Sequence, residues 1–172
     1  MTAFFLGRST NKPRGYRMEN IIKSRKIGQI GVIVMDVEKT ARIWADMLGI
    51  PLPEIIITET VEQTNAQYMG NPTPARAKIM VFRFDNIDIE FVEPLGEPST
   101  WKDQLKEHGS SIHHLAFRIK GMQEKVDAFA ENGIDLVQKG DFKGGRYAYL
   151  DAVEDFGMIL ELLENENVPL EE

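Results

Sequence analysis

Four polar side chains stand at two repeated positions of this sequence, Gln29 with His114 and Glu90 with Glu161. Residues 27–52 (IGQIGVIVMDVEKTARIWADMLGIPL) match residues 112–137 (IHHLAFRIKGMQEKVDAFAENGIDLV), with one residue fewer ahead of the shared Gly-Ile in the second copy. A later echo sets Ile89-Glu90-Phe91-Val92-Glu93 against Leu160-Glu161-Leu162-Leu163-Glu164. A duplicated unit that packs about a pseudo-twofold axis brings equivalent positions together, so one carboxamide, one imidazole and two carboxylates are expected around a point. Three oxygen donors and one nitrogen, without sulfur, suit a divalent cation that keeps positions open for water or substrate. Zinc, cobalt, nickel, manganese and magnesium all fit that donor set.

Each residue also has a plain structural reading. Gln29 alone is an ordinary polar strand residue. Glu161 lies in Met158-Ile159-Leu160-Glu161-Leu162-Leu163, where strand alternation puts it on one face with Ile159 and Leu163, and a buried carboxylate there needs a partner. Glu90 shares its face with Asp88 and Val92, so a solvated face and a ligand position both remain open. His114 follows His113, and alternation sends the two imidazoles to opposite faces. Repeat symmetry selects His114 and leaves His113 as a surface or packing residue. His108 ends a helix as a favourable C-terminal cation.

The elements that position these residues follow from periodicity. Each copy reads strand, helix, Gly-Ile, strand. Ala41, Trp44 and Leu48, widened by Ile43 and Met47, form the apolar stripe of the first helix, and Met122, Val126, Phe129 and Ala130 that of the second. Gly49 and Gly133 supply the left-handed residue after each helix. Strands are expected near 54–61 and 77–84 in the first copy, and near 135–141 and 146–150 in the second. The fold class is α+β: two tandem βαβββ modules forming a curved mixed sheet around a central metal site. The divisions are a flexible basic extension (1–26), a first module (27–95), a linker helix (96–110) capped by Ser99 and closed by Gly109, a second module (111–165) and an acidic tail (166–172). The basic extension reads as a mobile arm, or as sequence ahead of a true start at Met18.

Composition bounds the function. With 172 residues, of which 42% are hydrophobic, the chain has room for one ordinary domain and a core. A net charge of -7 excludes generic nucleic-acid binding, which needs a basic footprint. No run of eighteen apolar residues is present, so no membrane span and a cytoplasmic location are expected. Zero cysteines exclude thiolate ligands, disulfides and a cysteine nucleophile.

Residues 27–164 resemble the vicinal-oxygen-chelate superfamily of glyoxalases, bleomycin-resistance proteins and dioxygenases. IEFVEPLGEPSTWKDQLKEHG (89–109) leading into SIHHLAFRI (111–119), together with GMILELLE (157–164), look most like its methylmalonyl-CoA epimerase branch. The ligand set glutamine, glutamate, histidine, glutamate is instead similar to that of zinc-type glyoxalase I. The resemblance implies a divalent-metal-dependent isomerase or lyase that moves a proton alpha to a carbonyl through a metal-stabilised enediolate. Glu161 is then the first choice of base and Glu90 the second. A small acyl thioester or related α-carbonyl substrate and a homodimer are also implied. The alternatives are a lactoylglutathione lyase of the glyoxalase I type and a non-enzymatic drug-binding protein. Glutathione-using members carry an arginine where this chain has Ile33, and some epimerases carry a glutamate base at or near Lys78. Extradiol oxygenase chemistry, with two histidines, is disfavoured by Gln29. Arg76, Lys78, Arg83, Arg118 and Arg146 are candidates to face a phosphate or carboxylate. The modules can pair within one chain or exchange between two, since both arrangements build the same site.

Overall fold

A computed structural model describes residues 18–166. In chain order the elements are β1 (Gln29–Ile33), α1 (Val37–Leu48), β2 (Ile56–Ile57), α2 (Val61–Thr64), β3 (Gln67–Tyr68), β4 (Asn71–Pro72), β5 (Arg76–Arg83) and β6 (Asp88–Leu95). There follow α3 (Thr100–His108), β7 (Ser111–Arg118), α4 (Met122–Glu131), β8 (Leu136–Phe142), β9 (Gly145–Leu150), α5 (Val153–Phe156) and β10 (Ile159–Asn165). All ten strands belong to one curled sheet, a half-barrel of order β2-β5-β6-β1-β7-β10-β9-β8-β3-β4.

The duplication is visible in the pairing. β1 runs parallel to β6, and β7 runs parallel to β10, each across a crossover that contains a helix. The two units then join edge to edge through the antiparallel pair β1–β7 of the same chain. Within the single chain, the first and last strands of both units become neighbours in the middle of the sheet.

Local chemistry sets the helix ends. The Asp36 carboxylate accepts the Lys39 amide hydrogen at 2.9 Å, and Glu93 accepts that of Val37 at 3.0 Å, so two free donors at the start of α1 are satisfied. Gly49 closes α1 with φ 66°, a conformation in which a side chain would be strained. Ser99 caps α3 through the Lys102 amide at 3.1 Å. The stripe that α1 buries is Val37, Ala41 and Ala45, whereas Ile43, Met47 and Leu48 are exposed, which corrects the wider stripe expected from their spacing. In α4, Met122, Val126 and Phe129 are buried but Ala130 is not. Small residues let α1 lie close on Met80, Phe82 and Phe91.

The segment between α1 and β5 departs most from the expected pattern. Only Ile56–Ile57 form a strand where 54–61 was anticipated, and they pair with β5 at one edge of the sheet. The chain then passes through α2 into the β3–β4 hairpin, which pairs with β8 at the opposite edge. One segment of the first unit therefore bridges both edges of the half-barrel. Tyr68 donates its hydroxyl to Asp103 at 2.6 Å and Asn65 donates to Asp141 at 3.0 Å, tying the bridge to α3 and to the second unit.

The end of the basic extension is not detached. Met18, Ile21 and Ile22 pack against the core cluster formed by Ile119, Met122, Phe129, Leu160 and their neighbours. Residues 1–17 and 167–172, the rest of the extension and the acidic tail beyond Glu166, lie outside the described residues. Among the described residues no helix is long and apolar enough to cross a membrane.

Candidate functional site

The concave face of the sheet encloses a cavity of about 480 Å³ whose wall includes Gln29, Glu90, Glu161, Tyr147, Tyr149 and Trp101. Register explains why these residues meet. Gly31 on β1 lies opposite Glu90 on β6 and opposite His114 on β7. Glu161 on β10 pairs with Ala116 on one side and with Tyr149 on the other, two residue pairs along from His114 and so on the same face of the sheet.

The result is a buried cluster. His114 Nε2 lies 3.1 Å from Glu161 Oε2 and 3.5 Å from Glu90 Oε2. The His114 side chain is 0% exposed, that of Glu161 5% and that of Glu90 14%. Gln29 is buried in the same wall, next to Asp88 and Ala116 in register.

Charge in this cluster is strongly coupled. Burial pulls the His114 pKa down, but the facing carboxylates Glu161 and Glu90 more than reverse this and push it up to about 10. Burial raises Glu161 above the ordinary carboxylate range and the charge of Glu90 adds to the rise, against the opposing effects of His114 and of a hydrogen bond from Tyr149. Without a metal, one proton on His114 therefore stands between two carboxylates.

That cluster can be tested for a metal. Among the described residues no group of three or more His, Asp or Glu side chains is placed to hold a metal ion. The carboxylates instead approach the imidazole directly. Their approach is not that of hydrogen bonds, however, because His114 Nε2 and Glu161 Oε2 are both left without a hydrogen-bonding partner despite their 3.1 Å separation. Two donors at a right angle, each about 2.1 Å from one ion, stand about 3.0 Å apart, so the separation matches that of neighbouring ligands. One imidazole, two carboxylates and the Gln29 amide are also a suitable donor set for a divalent cation. The residues fit.

Three residues important to this geometry were not assigned to it from the sequence. A Cβ on Gly31 would fall 1.9 Å from His114 Cε1 and 2.1 Å from Nε2, so the imidazole occupies the space that any other residue at 31 would fill. A glycine inside a strand is the available signal for such a close approach. Tyr149, 3% exposed, accepts the Trp101 indole hydrogen at 3.1 Å and packs its ring 5.1 Å from that of His114. His113 was expected on the opposite face, yet it is 2% exposed with Nδ1 2.9 Å from His114 Nδ1. The pairing of β1 with β7 steps from Gly31↔His114 to Val32↔Ile112, so residue 113 is the extra residue of a β-bulge. A bulge breaks the alternation on which the expectation rested.

The basic candidates separate clearly. Arg83 and Arg118 line the cavity, and both bind Asp88 Oδ2, at 3.1 and 3.3 Å. Lys78 does not reach the cavity. Ile79 and Val81 line it, and the intervening pleat turns Lys78 toward Glu38 and Glu93 at 3.3 and 3.8 Å. Lys78 therefore stands outside the cavity wall. Arg76 donates to the Thr58 carbonyl and Arg146 lies beside Glu164, neither of them in the cavity wall. Ile33 is fully buried in an apolar cluster with Val92, Trp101 and Tyr149.

Comparison with known proteins agrees with this architecture. Residues 28–149 match the model of the Glyoxalase/Bleomycin resistance protein/Dioxygenase superfamily. The uncharacterized protein YqjC of Bacillus subtilis (strain 168) is 22% identical over 142 residues, covering 81% of this chain and 91% of its own. A mitochondrial methylmalonyl-CoA epimerase of Mus musculus is 24% identical over 129 residues, which cover 73% of this chain but only 64% of the mouse protein. Among solved structures, a methylmalonyl-CoA epimerase in complex with methylmalonyl-CoA and NH4+ has the same fold, with a TM-score of 0.59 at 20% identity over 83% of this chain and 96% of its own.

Proposed function

Given that the chain belongs to the Glyoxalase/Bleomycin resistance protein/Dioxygenase superfamily, we propose that it is an isomerase that moves a proton on the carbon next to the carbonyl of a small acyl thioester. The observation that carries this reading is the contact of the buried His114 Nε2 with the Glu161 and Glu90 carboxylates, both of which line the central cavity. The similar epimerase structure, whose complex contains methylmalonyl-CoA, supports the substrate class.

Gln29, Glu90, His114 and Glu161 are the residues that would hold one divalent cation. When bound, such a cation supplies a Lewis acid for the carbonyl oxygen of the substrate. The chain's own residues supply the acid-base chemistry. A carboxylate removes the α-proton, the C–H electron pair moves toward the carbonyl oxygen, and a second carboxylic acid returns a proton to the opposite face of the flattened carbon. Glu161 is the leading base, because burial raises its affinity for a proton above that of an ordinary carboxylate. Glu90, on the other side of the His114 ring nitrogen, is the partner that completes inversion. The apolar wall formed by Ile79, Val81, Val92 and Leu163 keeps water from these carboxylates, and Arg83 and Arg118 bring positive charge to the cavity for an anionic part of the substrate.

The test is exchange of the α-proton of methylmalonyl-CoA in deuterated water, run on protein of known zinc, cobalt, nickel and manganese content. Exchange that rises with bound metal and disappears in Glu161→Gln supports the proposal. A metal-loaded protein that exchanges no α-proton from acyl thioesters overturns it.

A further inference from the structure

We propose that His113 is a positioning residue that accepts a hydrogen bond from His114 Nδ1 and thereby reserves His114 Nε2 for the metal. The inference rests on the reading of His114 as a ligand.

The two Nδ1 atoms are 2.9 Å apart and both residues are buried, so a single hydrogen lies between them. Either nitrogen could carry it. A His114 that binds a metal through Nε2 keeps its ring hydrogen on Nδ1, and His113 Nδ1 is the atom that faces it at 2.9 Å. The hydrogen therefore belongs to His114 Nδ1, and His113 presents a bare Nδ1. His113 then carries its own hydrogen on Nε2, a buried atom that has no partner of its own.

The fold supplies what this arrangement needs. Adjacent residues of a regular strand point to opposite faces. The bulge at residue 113 cancels that rule at one position and turns the two rings into contact, T-shaped at 82° with centroids 5.2 Å apart. Tyr149 packs against both rings, 5.2 Å from His113 and 5.1 Å from His114, and limits their rotation. A metal-binding histidine usually gives its second ring hydrogen to a carboxylate or a carbonyl. Here a neutral imidazole takes that place, so the ligand tautomer is fixed without adding a third negative charge to a pocket that already holds Glu90 and Glu161.

The test compares zinc affinity in wild type, His113→Leu and His113→Asn, alongside the histidine tautomers read by nitrogen-15 NMR. Asparagine can still offer an oxygen to His114 Nδ1, whereas leucine cannot. His113→Leu should bind zinc about 10- to 100-fold more weakly, the range typical of losing such an outer partner, and His113→Asn should stay close to wild type. The wild-type spectrum should show His113 with hydrogen on Nε2 and none on Nδ1. Equal zinc affinity in a folded His113→Leu protein overturns the proposal, as does a protonated Nδ1 on His113. If leucine prevents folding, the asparagine variant and the wild-type spectrum still decide. If wild type takes up no zinc, the metal reading fails by itself, and the spectrum of the metal-free protein separately upholds or ends the assignment of His113 as acceptor.

Discussion

The two modules contribute equivalent positions to the site and yet unequal halves. The second supplies His114 and Glu161, sealed among His113, Tyr149 and Trp101, with the imidazole closed off from solvent. The first supplies Gln29 and Glu90, and the Glu90 side chain keeps 14% of its surface exposed. Duplication therefore explains where the donors stand, whereas burial separates what they can do. A carboxylate held against a buried imidazole has its proton affinity set by the protein, and one that faces the cavity is better placed to meet substrate and solvent.

Substitutions can break that comparison. The largest effect is expected from Glu161→Gln, which should lower α-proton exchange by about 1,000-fold, with Glu90→Gln nearer 100-fold, both within the usual range for a positioned acid-base group. Single-turnover exchange rates measure both. Equal losses would mean that the difference in burial carries no functional asymmetry.

Gly31→Ala tests the junction between the halves. The new methyl group would overlap the His114 ring, so the variant should lose zinc binding and about 1–3 kcal/mol of stability, the common cost of overpacking. Zinc titration and thermal unfolding check this, and full zinc affinity in the variant would refute the placement of the ring.

A smaller, graded effect concerns protons. His114 is raised to about 10 from an ordinary 6.5 by its carboxylates, so its stabilising charge in the metal-free protein is complete below about pH 6.5 and is lost as pH rises through about 10. A metal must displace that proton, so zinc uptake at pH 7.5 should release about one proton, and affinity should rise with pH up to that range. Calorimetry in two buffers of different ionisation enthalpy measures the release. Uptake without proton release would contradict the charged state assigned to the metal-free second half.

The smallest effect is expected at Lys78. Its ammonium group faces Glu38 and Glu93 outside the cavity, so Lys78→Met should leave exchange within about twofold of wild type, as surface substitutions generally do. A hundredfold loss would place it in the acid-base machinery and remove Glu90 from the pair.

The sequence by itself determined the repeat, and with it the half-barrel. Strand and helix periodicities, the glycine that ends α1 and the serine that starts α3 are local signals, each set within a few residues of chain. It also marked Gln29, Glu90, His114 and Glu161 as equivalent pairs, because symmetry of sequence carries over to symmetry of position. Tertiary structure alone decided the rest. Whether Lys78 or Ile79 faces the cavity depended on the pleat of β5 within the assembled sheet, and the path of residues 56–72 depended on two edges far apart in the chain. The His113 ring turned inward because β7 meets β1 with an extra residue at a bulge, and the His114 ring could fold over β1 because residue 31 has no side chain. Register between strands is a property of two segments together, and no periodicity within either one contains it.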